Sequence, residues 1–166
     1  MPVFTSRDFL LDSGAILPQI EIAWECWGKL NGDASNAILV THGLTSSHFA
    51  AGPPTLDCRI GWGDGQIGPG RIYDTDRYFI LSSNVLGSFY RSTCARSANP
   101  ASGRPWGADF PFVSMADVVR AQDLLVRSLG IARLHAVAGC SLGGFQAYQW
   151  AVTFPEKMTR VIATDT

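Results

Sequence analysis

The chain has 166 residues, of which 46% are hydrophobic and 16% charged, and its formal net charge is −1. This length can bury one sizeable core, and the nearly balanced charge gives no basic surface for nucleic acid. Because no apolar stretch is long enough for a signal peptide or a membrane span, we expect a cytoplasmic protein that binds neither nucleic acid nor membranes. The four cysteines show no CxxC or Cys/His spacing, so we expect neither a metal site nor a disulfide framework.

The first half of the chain has three segments with the patterns of strands. Residues 19–27 (QIEIAWECW) alternate apolar and polar side chains, which is typical of a half-buried strand. Residues 37–41 (AILVT) and 78–82 (YFILS) are short apolar runs, which indicate fully buried strands. Two long segments, 45–75 and 84–111, are predicted to be loops, and loops of this length in a compact domain are usually functional.

The second half of the chain alternates helices and strands. Ser114 is predicted to cap a helix, with Asp117 as the acidic partner of a capping box. A strand at 134–138 (LHAVA), a helix at 142–154 and a strand at 160–164 (RVIAT) follow. This order predicts a parallel sheet that is covered by helices.

Residues 139–143 read GCSLG, a G-x-S-x-G pattern between a predicted strand and a predicted helix. In this position the pattern is typical of a nucleophile elbow, a tight turn that exposes a serine oxygen at the carboxyl end of a sheet. We therefore predict that Ser141 is a nucleophile, the alternative being a serine that only packs. Cys140 beside it is expected to be a small, inert residue of the core.

A second element of such a site follows the strand at 37–41. His42 and Gly43 stand where this kind of fold places an oxyanion-hole donor, and a tetrahedral oxyanion needs two amide N–H groups aimed at one point. We expect these to be the backbone N–H groups of Leu44 and of Leu142, which follows the serine. The alternative is that the His-Gly pair only turns the chain.

Seven blocks in chain order carry a family resemblance: HGLTSSHFAAG, GWGDGQIGPG, DTDRYFILSSNVLG, STCARSANPASGRPWGADFP, SMADVVRAQDLL, LGIARL and GCSLGGFQA. With them the chain resembles the homoserine O-acetyltransferase family, whose members have the α/β-hydrolase fold. It departs from the family at Gly63, where a tryptophan is common, and at residues 91–95, where RSTCA replaces G-S-T-G-P. These departures leave the acyl donor and the acceptor alcohol open, including acetyl against succinyl and homoserine against serine.

The resemblance implies an O-acyltransferase of methionine biosynthesis. Its ping-pong reaction would move an acyl group, in the first place acetyl, from the co-substrate acyl-CoA through an acyl-serine to the hydroxyl of L-homoserine. The implied fold is a mostly parallel sheet with helices on both faces, with no bound cofactor or metal, and we expect the full-length protein to be a homodimer.

A catalytic serine needs a histidine base and an acid that orients it, and this fold orders them serine, acid, histidine. After Ser141 the sequence has only Glu156 and Asp165 as acids and no histidine. Asp165 is read as structural, since the family's acid comes later. None of the chain's three histidines is expected to be the base: His42, His48 and His135.

We therefore expect residues 1–166 to be the N-terminal portion of an α/β-hydrolase catalytic domain that stops after about the sixth strand. Such a portion would lack the lid and the last strands, and alone it would be inactive. Two alternatives stay open. One is a serine hydrolase or esterase of the same fold, and the other is a non-catalytic fragment without the acid and base.

Overall fold

A computed structural model describes residues 2–52 and 60–166. Part of the predicted loop at 45–75, with Cys58, lies outside these described residues. The elements in chain order are β1 (Val3–Leu10), β2 (Ile16–Trp27), β3 (Ala37–Thr41), β4 (Ile67–Gly68), β5 (Tyr73–Asp74), β6 (Phe79–Ser83), α1 (Met115–Ser128), β7 (Ala136–Cys140), α2 (Leu142–Thr153) and β8 (Val161–Thr164).

Six of the strands form one sheet in the order β1-β2-β6-β3-β7-β8. The pairs β1–β2 and β2–β6 are antiparallel, whereas β6, β3, β7 and β8 run parallel to one another. The short strands β4 and β5 pair separately. The predicted mostly parallel sheet is thus confirmed, and the ends of β3 and β7 lie side by side because Thr41 is in register with Gly139.

The two faces of the central strand β3 contact different parts of the chain. Ala37 and Leu39 pack in a cluster with side chains of α1 and α2, which also pack against each other. Ile38 and Val40 point to the opposite face, where they pack with residues of the 45–75 segment such as Ala50 and Ile67. This alternation follows from the two-residue period of a strand, and it buries β3 on both faces.

Strand β1 was not predicted, because its sequence VFTSRDFL has no regular alternation. It forms by pairing with β2, which begins at Ile16 rather than at the predicted residue 19. The register passes from Arg7–Gln19 to Phe9–Leu17 and leaves out Asp8, whose φ is 51°. Here long-range pairing overrides a weak local preference.

The predicted capping box of α1 is confirmed. The Asp117 N–H donates to Ser114 Oγ at 3.1 Å, and the Ser114 N–H donates back to Asp117 Oδ2 at 2.8 Å. Asp117 also accepts a hydrogen bond from the Asp12 N–H at 2.9 Å and pairs with Arg120. The start of α1 is thereby tied to the turn between β1 and β2.

Candidate active site

Ser141 is the single residue between β7 and α2, and its side chain is exposed. Its backbone has φ 56° and ψ −127°, a combination that costs a residue with a side chain about 1–3 kcal/mol. The Ser141 N–H donates to Thr164 O at 3.0 Å, and Ser141 O accepts from the Gly144 N–H at 2.9 Å. The backbone of the serine is therefore fixed by β8 and α2, while its hydroxyl faces the solvent.

The glycines of the pattern permit this tight turn. A Cβ on Gly139 would lie 2.2 Å from Thr41 Oγ1, and a Cβ on Gly143 would lie 2.1 Å from Thr41 O. The Thr41 hydroxyl in turn lies 2.8 Å from Gly143 O. Only residues without side chains can bring β3, β7 and α2 this close together.

Residues 42–44, which are predicted to supply an oxyanion donor, lie beside the turn at Ser141. A Cβ on Gly43 would be 3.9 Å from the Ser141 Cβ, and the next residue, Leu44, lines the same cavity as Leu142. Within the part of the chain that the structure describes, neither the Leu44 N–H nor the Leu142 N–H donates a hydrogen bond to the protein. Leu142 is the first residue of α2, where the N–H has no partner within the helix.

The His42 side chain is buried, and each ring nitrogen lies close to an oxygen: Nδ1 is 2.8 Å from Gly43 O, and Nε2 is 3.1 Å from Asn84 Oδ1. Burial lowers the pKa of His42, although both oxygens favour the protonated ring. Since both oxygens can only accept, a neutral ring donates to one of them, and the shorter contact is the one from Nδ1 to Gly43 O. Because Gly43 O and the Leu44 N–H belong to one planar peptide group, the ring also fixes the direction of that N–H.

The other two histidines are no better placed to take a proton from Ser141. His48 is buried, and burial, followed by the nearby His42 and Arg91, lowers its pKa to about 4. His135 precedes β7, at the end of that strand opposite to Ser141, and its Nε2 lies 3.3 Å from an Arg160 nitrogen.

The prediction that Cys140 belongs to the core was wrong. Its side chain is exposed, and Sγ lies 3.6 Å from Oδ2 of Asp165. Cys140 is the last residue of β7, and the residues of this strand become more exposed towards that end. The site thus has an exposed thiol directly beside the exposed serine.

A cavity of about 490 Å³ opens next to these residues. Its lining consists of aliphatic and aromatic side chains, a few hydroxyls and His42, without any Asp, Glu, Lys or Arg among the described residues. The walls come from residues 85–89 and 110–111 of the second predicted loop, from residues 112–118 at the start of α1, and from Leu44 and Leu142. Apolar cavities of this size are typical binding sites for small ligands.

Three polar residues that support this site were not singled out from the sequence: Asn84, Gln122 and Gln146. Asn84 lies 3.1 Å from both His42 Nε2 and Ser92 Oγ, whereas the glutamines connect α1 and α2. Gln122 lies among the apolar positions of the buried face of α1. A polar residue within an apolar helix face is the sequence signal that could have found it.

The described residues contain no group of three or more His, Cys, Asp or Glu side chains that is arranged to hold a metal ion. Over the same residues, no helix has the length and apolar character that crossing a membrane requires.

Comparison with known proteins agrees with the observed architecture. Residues 36–166 match the model of the α/β-hydrolase fold family. The chain is 49% identical over 154 residues to a homoserine O-acetyltransferase of Methanosphaerula palustris, a match that covers 93% of this chain and 31% of that protein. The crystal structure of a homoserine O-acetyltransferase from Bacillus anthracis superposes with a TM-score of 0.93 at 37% identity, over 98% of this chain and 46% of that one. A solved esterase gives a TM-score of 0.91 at 37% identity with the same coverage.

The chain therefore spans less than half the length of these relatives. The predicted resemblance to the homoserine O-acetyltransferase family is confirmed for the part that is present. Since the family model matches most of the chain, the protein belongs to the α/β-hydrolase fold family.

Proposed function

We propose that this chain carries the nucleophile and the oxyanion hole of an O-acyltransferase that moves an acyl group from acyl-CoA to L-homoserine. The observation that carries the proposal is the exposed Ser141 in a strained turn between β7 and α2, beside two amide N–H groups that donate to no acceptor among the described residues. The resemblance to homoserine O-acetyltransferases supplies the substrates. Because the chain covers less than half of those relatives, the activity is proposed for the complete protein.

In the first half-reaction, Ser141 Oγ would attack the thioester carbonyl carbon of acyl-CoA and give up its proton to a base. The carbonyl oxygen becomes an oxyanion, which the N–H groups of Leu44 and Leu142 would stabilise. Collapse of this intermediate breaks the carbon–sulfur bond, so CoA leaves as a thiol once it has taken up the proton. The acyl group stays on the serine as an ester.

In the second half-reaction, the homoserine hydroxyl would attack this ester through the same oxyanion geometry. Ser141 regains its proton, and O-acylhomoserine leaves. Among the described residues the lining of the cavity has no cationic side chain to pair with the second carboxylate of a succinyl group, which favours a short, uncharged acyl chain such as acetyl.

The base is proposed to come from outside these 166 residues. His135 is at the far end of β7, the His42 ring is held by Gly43 and Asn84, and His48 has a pKa near that of a carboxylic acid. A base with so low a pKa would be a weak proton acceptor at neutral pH.

The test is the covalent acyl-enzyme. In the complete protein, Ser141→Ala should abolish transfer and the acyl adduct seen by intact-mass spectrometry after acetyl-CoA is added. Cys140→Ala is the matched control, because Cys140 is an exposed nucleophile one residue away. An acyl adduct that persists in Ser141→Ala and disappears in Cys140→Ala would refute the assignment.

A serine esterase is the second candidate, favoured by the solved esterase that matches this chain as well as the acetyltransferase does. In an esterase, water replaces homoserine in the second half-reaction. Steady release of CoA that depends on added homoserine supports the transferase, whereas the same release without an acceptor supports the hydrolase.

A further inference from the structure

A buried row of hydrogen bonds joins both helices to the end of β3. The Trp150 indole N–H donates to Gln122 Oε1 at 2.7 Å, and Gln122 Nε2 donates to Gln146 Oε1 at 2.8 Å. Gln146 Nε2 then donates to His42 O at 3.0 Å. All four residues are buried, so no water competes for these groups.

The two ends of the row fix its direction. An indole N–H can only donate, so the Gln122 side chain must present its oxygen to Trp150 and its NH₂ group to Gln146. Gln146 must then present its own NH₂ group to His42 O, which can only accept. The chemistry of the end groups therefore allows one orientation for each side-chain amide.

The row ends on the peptide group between His42 and Gly43, which adjoins the peptide group that carries the Leu44 N–H. His42 O is held by Gln146, and the next carbonyl, Gly43 O, is held by His42 Nδ1 and by the Ser46 N–H at 3.1 Å. The peptide groups on both sides of Gly43 are thus fixed through their oxygens. The direction of the Leu44 N–H follows, because it lies in the same plane as Gly43 O.

We propose that Gln146 is a positioning residue, which through its bond to His42 O holds the Leu44 N–H at the place where the oxyanion develops. This inference rests on the proposed role of Ser141 and deepens it. Oxyanion donors act only when they are fixed in advance, since a donor that must move into place loses much of its effect. A methionine side chain at position 146 would fill a similar volume, but it has no N–H group to donate to His42 O.

The test compares acylation of Ser141 by saturating acetyl-CoA in three variants of the complete protein. Gln146→Met should lower this rate about 10-fold to 100-fold, somewhat less than the removal of an oxyanion donor. The half-saturating concentration of acetyl-CoA should stay within about twofold of the wild-type value. An alkyl boronic acid forms a tetrahedral, anionic adduct with serine, so its binding should weaken by the same factor as the acylation rate.

Two controls separate positioning from packing. Gln149→Met changes the same residue type on the same helix, where the side chain donates to Thr153 of that helix and makes no contact with His42 O. Gln122→Met breaks two buried hydrogen bonds, so it should lower the melting temperature as Gln146→Met does, yet it leaves the bond from Gln146 to His42 O in place. It should therefore lose much less of the acylation rate.

A second variant at position 146 covers the case that Gln146→Met fails to fold. Gln146→Glu keeps the size of the side chain and an oxygen that accepts from Gln122, but an ionised carboxylate cannot donate a hydrogen bond to His42 O. It should show the same loss of acylation rate.

An acylation rate in Gln146→Met within twofold of Gln149→Met would overturn the inference, as would an equal loss in Gln122→Met. Either result, with Ser141 still acylated, leaves the proposed function standing. If wild-type Ser141 takes up no acyl group, the proposed function itself fails.

Discussion

Alanine at position 143 should push residues 41–44 away from the turn at Ser141. A Cβ on Gly143 would lie 2.1 Å from Thr41 O and 3.2 Å from the carbonyl carbon of His42. Because Cβ atoms essentially never approach other heavy atoms within 3.0 Å, β3 and α2 would have to separate by about 0.9 Å. Both contacted atoms are backbone atoms, so no side-chain rotation relieves the contact.

Two terms of opposite sign decide the effect of Gly143→Ala on stability. Alanine is favoured over glycine inside a helix by about 0.5–1 kcal/mol. Overpacking of a close-packed site costs about 1–3 kcal/mol, and contact with backbone places this case at the upper end. We expect a net loss of about 2 kcal/mol in the free energy of unfolding. A displacement approaching 1 Å can also cost about 100-fold in rate when it moves a catalytic group, which is the role proposed for the Leu44 N–H.

Urea denaturation and the rate of acylation by acetyl-CoA, both on the complete protein, measure these two effects. Gly32→Ala is the control, since a Cβ there meets no atom within 4 Å and its φ is not positive. It should change stability by less than about 0.5 kcal/mol, as a surface substitution does. If Gly143→Ala is as stable and as active as Gly32→Ala, the close approach of β3 and α2 is not what forms this site.

The remaining predictions concern single groups. Leu142→Met should be tolerated, whereas Leu142→Pro removes an oxyanion donor and should raise the acylation barrier by about 3 kcal/mol, which stopped-flow kinetics on folded protein would detect. His48 has a folded-state pKa of about 4, below its unfolded value of 6.5, so below pH 6.5 the unfolded chain binds a proton that the folded protein does not. Stability should therefore fall between pH 6.5 and pH 4, and His48→Leu should flatten that slope in denaturation curves measured across this range. Ser114→Ala should cost about 1 kcal/mol by loss of the α1 cap, and an unchanged melting temperature would contradict this.

Local signals predicted that the elements around the site exist, although β7 spans Ala136–Cys140 rather than the predicted residues 134–138. The buried run AILVT predicts the bounds of β3 correctly because β3 is covered on both faces and needs no polar alternation. The start of α2 follows from the G-x-S-x-G pattern at residues 139–143, which is typical of a turn between a strand and a helix. These features depend on residues that are close together in the sequence.

The features that sequence reasoning missed depend on distant partners. The exposure of Cys140 depends on which parts of the folded chain pack over the end of β7, and the neighbouring residues in the sequence do not determine this. Gln122 and Gln146 are 24 residues apart, and nothing in either helix predicts that their side chains meet. Tertiary packing brings such groups together, so a polar residue on an apolar helix face can indicate that a partner exists but cannot identify it.

A last prediction concerns residues 1–166 expressed alone. In the described part of the chain, β8 is the outermost strand of the sheet next to β7, and Ile162 in it is 47% exposed. The nearby helix α2 also exposes Phe145, Tyr148 and Val152. An edge strand with unpaired N–H and C=O groups beside apolar side chains is a template for association.

We therefore expect these 166 residues alone to self-associate and to have no acyltransferase activity. Ile162→Lys should reduce the association, because a charged side chain on an edge strand opposes pairing with another chain. Size-exclusion chromatography over a range of concentrations measures the association, and amide hydrogen exchange of β8 reports whether its backbone is protected by a second chain. Arg133→Lys, which keeps the charge at an exposed loop position, is the control. A protein that stays monomeric at all concentrations would contradict the first part of the prediction, because its edge strand would need no cover. Turnover of acetyl-CoA and homoserine would contradict the second part, because the reaction would need no base from elsewhere.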